Sequence, residues 1–194
     1  GHKITLIDLN DAPLTQMLPA KATARIAKAI ESQGIEFLGS HQVTSVIRND
    51  DHQLEVSYES LNKEDNSQSN KMIVDHVIAS TGLVVDNKLP TAAGIEFNSR
   101  TGIVVDAASL RTNADNVYAI GDCMSIDGVA CRYVAALRAQ AATIADEILG
   151  HEHTGYDHKP PMIRLKNKAI SVMVVGVPQA TGNWQIKTEN SDEL

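Results

Sequence analysis

The run Val117-Tyr118-Ala119-Ile120-Gly121-Asp122 sets a carboxylate directly after a glycine at the end of an apolar stretch. The chemistry on offer is acceptance of a hydrogen bond from a ligand hydroxyl. Val117, Ala119 and Ile120 suit a short strand covered on both faces, and Gly121 lets the main chain approach a ligand closely. Asp122 then emerges at the strand's carboxyl end, the edge where open α/β sheets bind ligands. A strand followed by an Asp-rich turn explains the same residues without a ligand. Asp8 repeats the pattern after Lys3-Ile4-Thr5-Leu6-Ile7, either accepting ribose hydroxyls or bonding the backbone of its own turn. Ala79-Ser80-Thr81-Gly82 closes another strand, where the glycine either permits close approach of the main chain to a ligand or simply makes a turn.

Other chemistry-bearing residues point less far. His151, Glu152, His153 and His158 are of types that bind Zn²⁺ or Ni²⁺, yet they lie in a polar linker, and no metal site is expected. Cys123 and Cys131 have neither C-x-x-C spacing nor the density of a disulfide framework, and read as core or loop thiols. Lys166 reads as a surface lysine at a strand end, and Trp184, the only tryptophan, as a packing residue.

The elements that must position these groups follow from periodicity. Residues 3–8 form a strand, and Ala22, Ile26, Ala29 and Ile30 recur at helical spacing within 20–33, with Gly34 as the C′ residue and a new strand from Ile35. Residues 43–47 and 54–58 alternate around Asn49-Asp50-Asp51, an antiparallel hairpin. A polar loop over 61–71 precedes a strand over 72–79. Then come a strand at 102–106, the strand before Gly121, and a helix over 133–149 closed by Gly150. Its apolar face is Val134, Leu137, Ala141, Ile144, Ala145 and Ile148. After a polar linker at 151–161, residues 162–165, 170–175 and 184–187 suggest strands of a unit too short to bury a core alone.

Composition narrows the class. A chain of 194 residues with 43% hydrophobic content supports one or two domains with sizeable cores. Its formal charge of -7 disfavours nucleic acid and anionic lipid. No stretch approaches the roughly 20 apolar residues that span a bilayer, and no signal peptide is evident, so a cytoplasmic protein without membrane insertion is expected. The terminal Ser191-Asp192-Glu193-Leu194 resembles a retention tail without its usual first Lys or His and is set aside.

Four features stand in order: Asp8, Thr81-Gly82, Gly121-Asp122-Cys123, and Asp127-Gly128 leading to Tyr133-Val134. With Lys166 and Gly182-Asn183-Trp184 after the linker, this order resembles the C-terminal part of FAD-dependent pyridine-nucleotide reductases, most closely the NADH:rubredoxin and flavorubredoxin reductase branch. The resemblance implies an α/β fold, part of a two-dinucleotide-binding-domain flavoprotein with a small C-terminal α+β domain. Residues 1–82 would be a partial NADH-binding domain, 83–157 the second segment of the FAD-binding domain, and 158–194 the start of the C-terminal domain.

It further implies FAD bound by Gly121, Asp122, Tyr133, Val134 and Lys166, and NADH bound by Asp8 and Gly82. Asp122 would hold the ribityl chain, and helix-start N–H groups at Val134 would face the flavin. A carboxylate at Asp8 repels a 2′-phosphate, and no Arg follows in 9–18, so NADH is favoured over NADPH. The family it resembles usually carries a proline where this sequence has Arg132. Electrons would pass from NADH through FAD to rubredoxin or a similar small iron protein. Hydride transfer needs no general acid, base or nucleophile, so no catalytic residue is assigned. Ferredoxin reductase, disulfide reductase and NADH oxidase share the scaffold. The family's two glycine-rich phosphate loops have no counterpart here, so the chain is expected to be a fragment, inactive alone. A non-catalytic folded module is the reading of another class.

Overall fold

A computed structural model describes residues 1–62 and 69–187; most of the expected polar loop at 61–71 and the terminal tetrapeptide lie outside the described residues. The chain divides into two compact units, 1–79 with 162–194, and 80–161.

In the first unit, β1 (Ile4–Ile7) pairs in parallel with β2 (Ile35–Leu38), Ile4 opposite Ile35, and α1 (Ala20–Ser32) makes the crossover. α1 buries Ile26, Ala29 and Ile30, and the chain leaves it through Gly34 at φ 72°, as the spacing predicts. β3 (His41–Arg48), β4 (Leu54–Ser60) and β5 (Asn70–Val74) form an antiparallel sheet. Its hairpin turn is closed by Asn49, whose Oδ1 accepts from the Gln53 N–H at 2.8 Å. β10 (Met162–Leu165) and β11 (Val172–Val175) pair antiparallel and share a core with α1, where Leu18, Ile26, Ile30 and Val174 meet. The strands expected to need a third unit thus find their apolar partner in the first.

In the second unit, α2 (Lys88–Ala92) precedes a sheet ordered β6 (Phe97–Asn98), β7 (Gly102–Val104), β8 (Met124–Ile126), β9 (Val129–Ala130). β7 and β8 run parallel; the others are antiparallel. Asp127 and Gly128, at φ 49° and 77°, make the tight turn between β8 and β9. α3 (Leu137–Leu149) ends at Gly150, φ 67°. The core comprises Val105, Leu110, Ala119, Met124, Ile126 and Cys131.

Several expected elements differ. The run 117–120 is not a ladder strand: Tyr118 forms one antiparallel bridge to Arg111, and the chain enters a 3₁₀ turn at Gly121–Cys123. β7 takes β8 as its parallel neighbour, which leaves 117–120 without one. The strand over 72–79 stops at Val74, and 75–87 is irregular, with Ile78 and Val84 about 90% exposed. Residues 184–187 form no strand. The helix at 133–149 opens as a 3₁₀ turn, Val134–Ala136, before becoming α-helical. Its buried residues are Gln140 and Thr143, whereas Ala141, Ala145 and Ile148 face solvent.

Candidate functional site

The Gly121-Asp122 junction is held by a residue that the apolar pattern skips. Gln140, fully buried on α3, accepts the Gly121 N–H through Oε1 at 3.0 Å. Its Nε2 donates to the Tyr156 hydroxyl at 3.4 Å and points at Cys131 Sγ, 3.8 Å away. A buried amide survives only when its polar atoms are paired, and here each end has a partner. The signal in the sequence was a polar residue at a position one turn from Leu137 and Ile144, on the side of the helix where apolar spacing alone sees a gap.

Glycine is required at two places in this construction. Gly121 has φ 75°, and a Cβ there would lie 2.9 Å from Leu137 Cδ2. Gly102, at φ 110° on β7, would drive a Cβ into the Cys123 carbonyl. The turn is therefore packed against α3 on one side and β7 on the other. Asp122 projects from it, exposed, with no hydrogen-bond partner among the described residues.

Tyr133 and Val134 sit at the start of the 3₁₀ turn that opens α3. Val134 is 81% exposed, and the first intrahelical donor is the Ala136 N–H, which reaches the Tyr133 carbonyl at 3.1 Å. Among the described residues the N–H groups of Val134 and Ala135 have no acceptor, and they lie at a helix start, where partial positive charge accumulates. Arg132 donates from Nη2 to the Arg100 carbonyl at 2.9 Å, and its Nε is buried without an acceptor.

The remaining predicted residues are placed as follows. Gly82, φ 97° and exposed, lies in the second unit with open space around its Cα. Asp8 closes β1 in the first unit, and its Oδ1 accepts both the main-chain and side-chain N–H of Asn10 at 2.8 Å. One oxygen thus closes its own turn, and Oδ2 has no partner among the described residues. Lys166 is exposed, next to β10 in the first unit.

The imidazoles of the former linker pair locally. His153 Nε2 lies 2.9 Å from Glu147 Oε1 while its Nδ1 accepts the Gly155 N–H at 3.0 Å, a pattern that puts the proton on Nε2. His151 faces Asp146 at 3.2 Å, and His158 Nδ1 lies 3.3 Å from Cys131 Sγ. Burial pushes the Cys131 thiol up. Burial also raises the Tyr156 phenol, partly offset by its bond to Gln140. Among the described residues no three His, Cys, Asp or Glu side chains converge as for a metal ion.

The geometry can therefore fix a polyhydroxylated ligand by a carboxylate and stabilise negative charge at a helix start. The family model of the pyridine nucleotide-disulphide oxidoreductases matches residues 1–145. The rubredoxin-NAD(+) reductase of Acinetobacter baylyi is 32% identical over 188 residues, which are 95% of this chain and 44% of that protein. The nitric oxide reductase FlRd-NAD(+) reductase of Shigella sonnei is 28% identical over 197 residues, 97% of this chain and 47% of its own. The chain spans about half the length of the curated relatives it matches. Among solved structures, the NAD-dependent persulfide reductase of A. fulgidus superposes with a TM-score of 0.75 at 20% identity, covering 90% of this chain and 31% of that one. The putidaredoxin reductase of a covalent complex with putidaredoxin gives 0.75 at 22%, covering 91% and 41%. The α/β fold expected from the sequence is thus that of FAD- and NAD-linked oxidoreductases.

Proposed function

The chain belongs to the pyridine nucleotide-disulphide oxidoreductase family, and from that premise we propose that it carries half of each nucleotide site of a cytoplasmic flavoprotein that passes electrons from NADH through FAD to rubredoxin or a similar small iron protein. The observation that carries this reading is the Gly121-Asp122 turn, held by Gln140, with a carboxylate that has no partner among the described residues, twelve positions before the helix start at Val134. When bound, FAD supplies hydride acceptance and single-electron donation.

The chain's own residues bind and orient. Asp122 accepts a ribityl hydroxyl, and Gly121 keeps that approach open. The N–H groups of Val134 and Ala135, with Tyr133 before them and Arg132 nearby, favour negative charge on the ring edge that faces them. Asp8 accepts ribose hydroxyls of NADH through its unpaired Oδ2 and repels a 2′-phosphate. Gly82 lets the main chain approach the nucleotide, and Lys166 contributes positive charge. Pyrophosphate binding needs a glycine-rich main-chain cradle, which these 194 residues do not contain. In this reading residues 1–82 serve NADH, 83–157 serve FAD, and 158–194 open a C-terminal domain.

The test is flavin retention and NADH-dependent bleaching in the longer polypeptide, followed by reduction of rubredoxin, ferredoxin and a disulfide as competing acceptors. Asp122→Ala is expected to purify with a reduced flavin complement and an unchanged fold by circular dichroism. A normal complement sinks the ribityl assignment, and preference for a disulfide acceptor sinks the iron-protein reading.

A further inference from the structure

Net charge hides a local excess of the opposite sign. α1 carries Lys21, Arg25 and Lys28 at i, i+4 and i+7, so the three cations line one stripe of the helix, and Glu31 is its only acid. All three are exposed, and none is in an ion pair among the described residues. The stripe borders the β10–β11 segment, because Arg25 shares a depression with Leu18, Ala22, Ile26, Ile170 and Val172. At the far end of α1, Gln33 Nε2 donates to Asn167 Oδ1 at 3.0 Å. The same oxygen accepts the Ala169 and Ile170 N–H groups, which fixes the loop bearing Lys166 and Lys168. Residues 162–175 contain three cations and no acid, in a chain whose formal charge is -7.

We infer that this face, α1 with the Lys166–Lys168 loop, docks a small acidic protein. Two features select that occupant. An apolar depression of about 190 Å³ with Arg25 in its lining, on the helix stripe that also carries Lys21 and Lys28, matches a partner that brings carboxylates beside one apolar anchor. The patch is also short, and the rest of the chain is more acidic than the total suggests. An extended polyanion laid across it would run onto like charge, whereas a compact partner need not. The inference rests on the proposed electron-transfer function only for its choice of partner, an acidic rubredoxin.

Binding of an acidic rubredoxin is measured by titration calorimetry at low and physiological salt, for the wild type, K21E/R25E/K28E, the neutral K21Q/R25Q/K28Q, and the control pair K71E/K88E. The charge reversal is expected to weaken binding roughly 10- to 100-fold, the neutral triple less, and the control not measurably, with affinity falling steeply as salt rises. Equal affinity of the reversal and the wild type overturns the inference, as do absent binding at low salt and equally tight, stripe-dependent binding of heparin or anionic vesicles. The substituted positions are solvent-facing, and thermal melts by circular dichroism confirm that the variants fold. No flavin is needed for this measurement. A longer polypeptide that docks rubredoxin through the stripe but takes up no FAD sinks the flavoprotein reading alone.

Discussion

Single residues decide how firmly the Asp122 carboxylate is presented. Gln140 is the fixed point, because removing its acceptor leaves the buried Gly121 N–H unpaired, at a cost of about 1–3 kcal/mol. Gln140→Leu is therefore expected to lower the unfolding free energy measured in urea by that margin and to accelerate amide exchange at Gly121; an unchanged exchange rate would show the turn to be held by packing alone. A second residue sets acid stability. Arg111 Nε lies 2.8 Å from Glu147 Oε2, and that bond, with help from His153, holds the Glu147 carboxyl below its ordinary value. Its folded pKa lies below the unfolded one, so its contribution is fully present above the usual glutamate range, about pH 4.3, and is lost as pH falls through the depressed value. Urea midpoints taken from pH 6 to pH 3 should thus fall more steeply in the wild type than in Glu147→Gln. Both residues were hard to see beforehand: Gln140 breaks the apolar pattern, and Glu147 meets its partner across 36 positions of sequence.

Elements were legible where the signal is local. α1, its glycine exit, β1, β2 and the β3–β4 hairpin follow from periodicities of 3.6 and 2 and from turn residues that need no distant partner. Strands were overread wherever β-branched residues lack a neighbour, as at 75–79, 117–120 and 184–187, because a ladder exists only between two segments. The face of α3 was misassigned for a related reason. Burial follows what the helix packs against, and here Gln140 and Thr143 turn inward while Ile148 stays 65% exposed. At this scale the sharpest test is Gly102→Ala. Its φ of 110° disfavours any side chain, and the Cβ would strike the rigid Cys123 carbonyl rather than a side chain able to move. A loss of at least about 1–3 kcal/mol by urea denaturation is expected, and a smaller loss would mean that the 3₁₀ turn shifts freely from β7.

At the scale of the whole molecule, exposed apolar side chains gather over 78–89. Ile78 and Val84 on irregular backbone and Leu89 on α2 are each more than three-quarters exposed within twelve positions, a density that favours association. Sedimentation velocity is expected to show concentration-dependent oligomers, reduced in the double substitution Ile78→Lys/Val84→Lys; a strictly monomeric wild type at high concentration would contradict this. The amino-acid sequence by itself determined the α/β class, the order Asp8, Gly82, Gly121-Asp122, Tyr133-Val134, and the family those residues mark, because each is a local pattern written in consecutive positions. Only tertiary structure decided that a buried glutamine clasps the Gly121 turn, that β10 and β11 complete the core over α1, and that Gln33 at the end of α1 meets Asn167 of a distant segment. Those outcomes depend on which surfaces meet, and burial of apolar area and pairing of polar groups choose among partners that local pattern leaves equivalent.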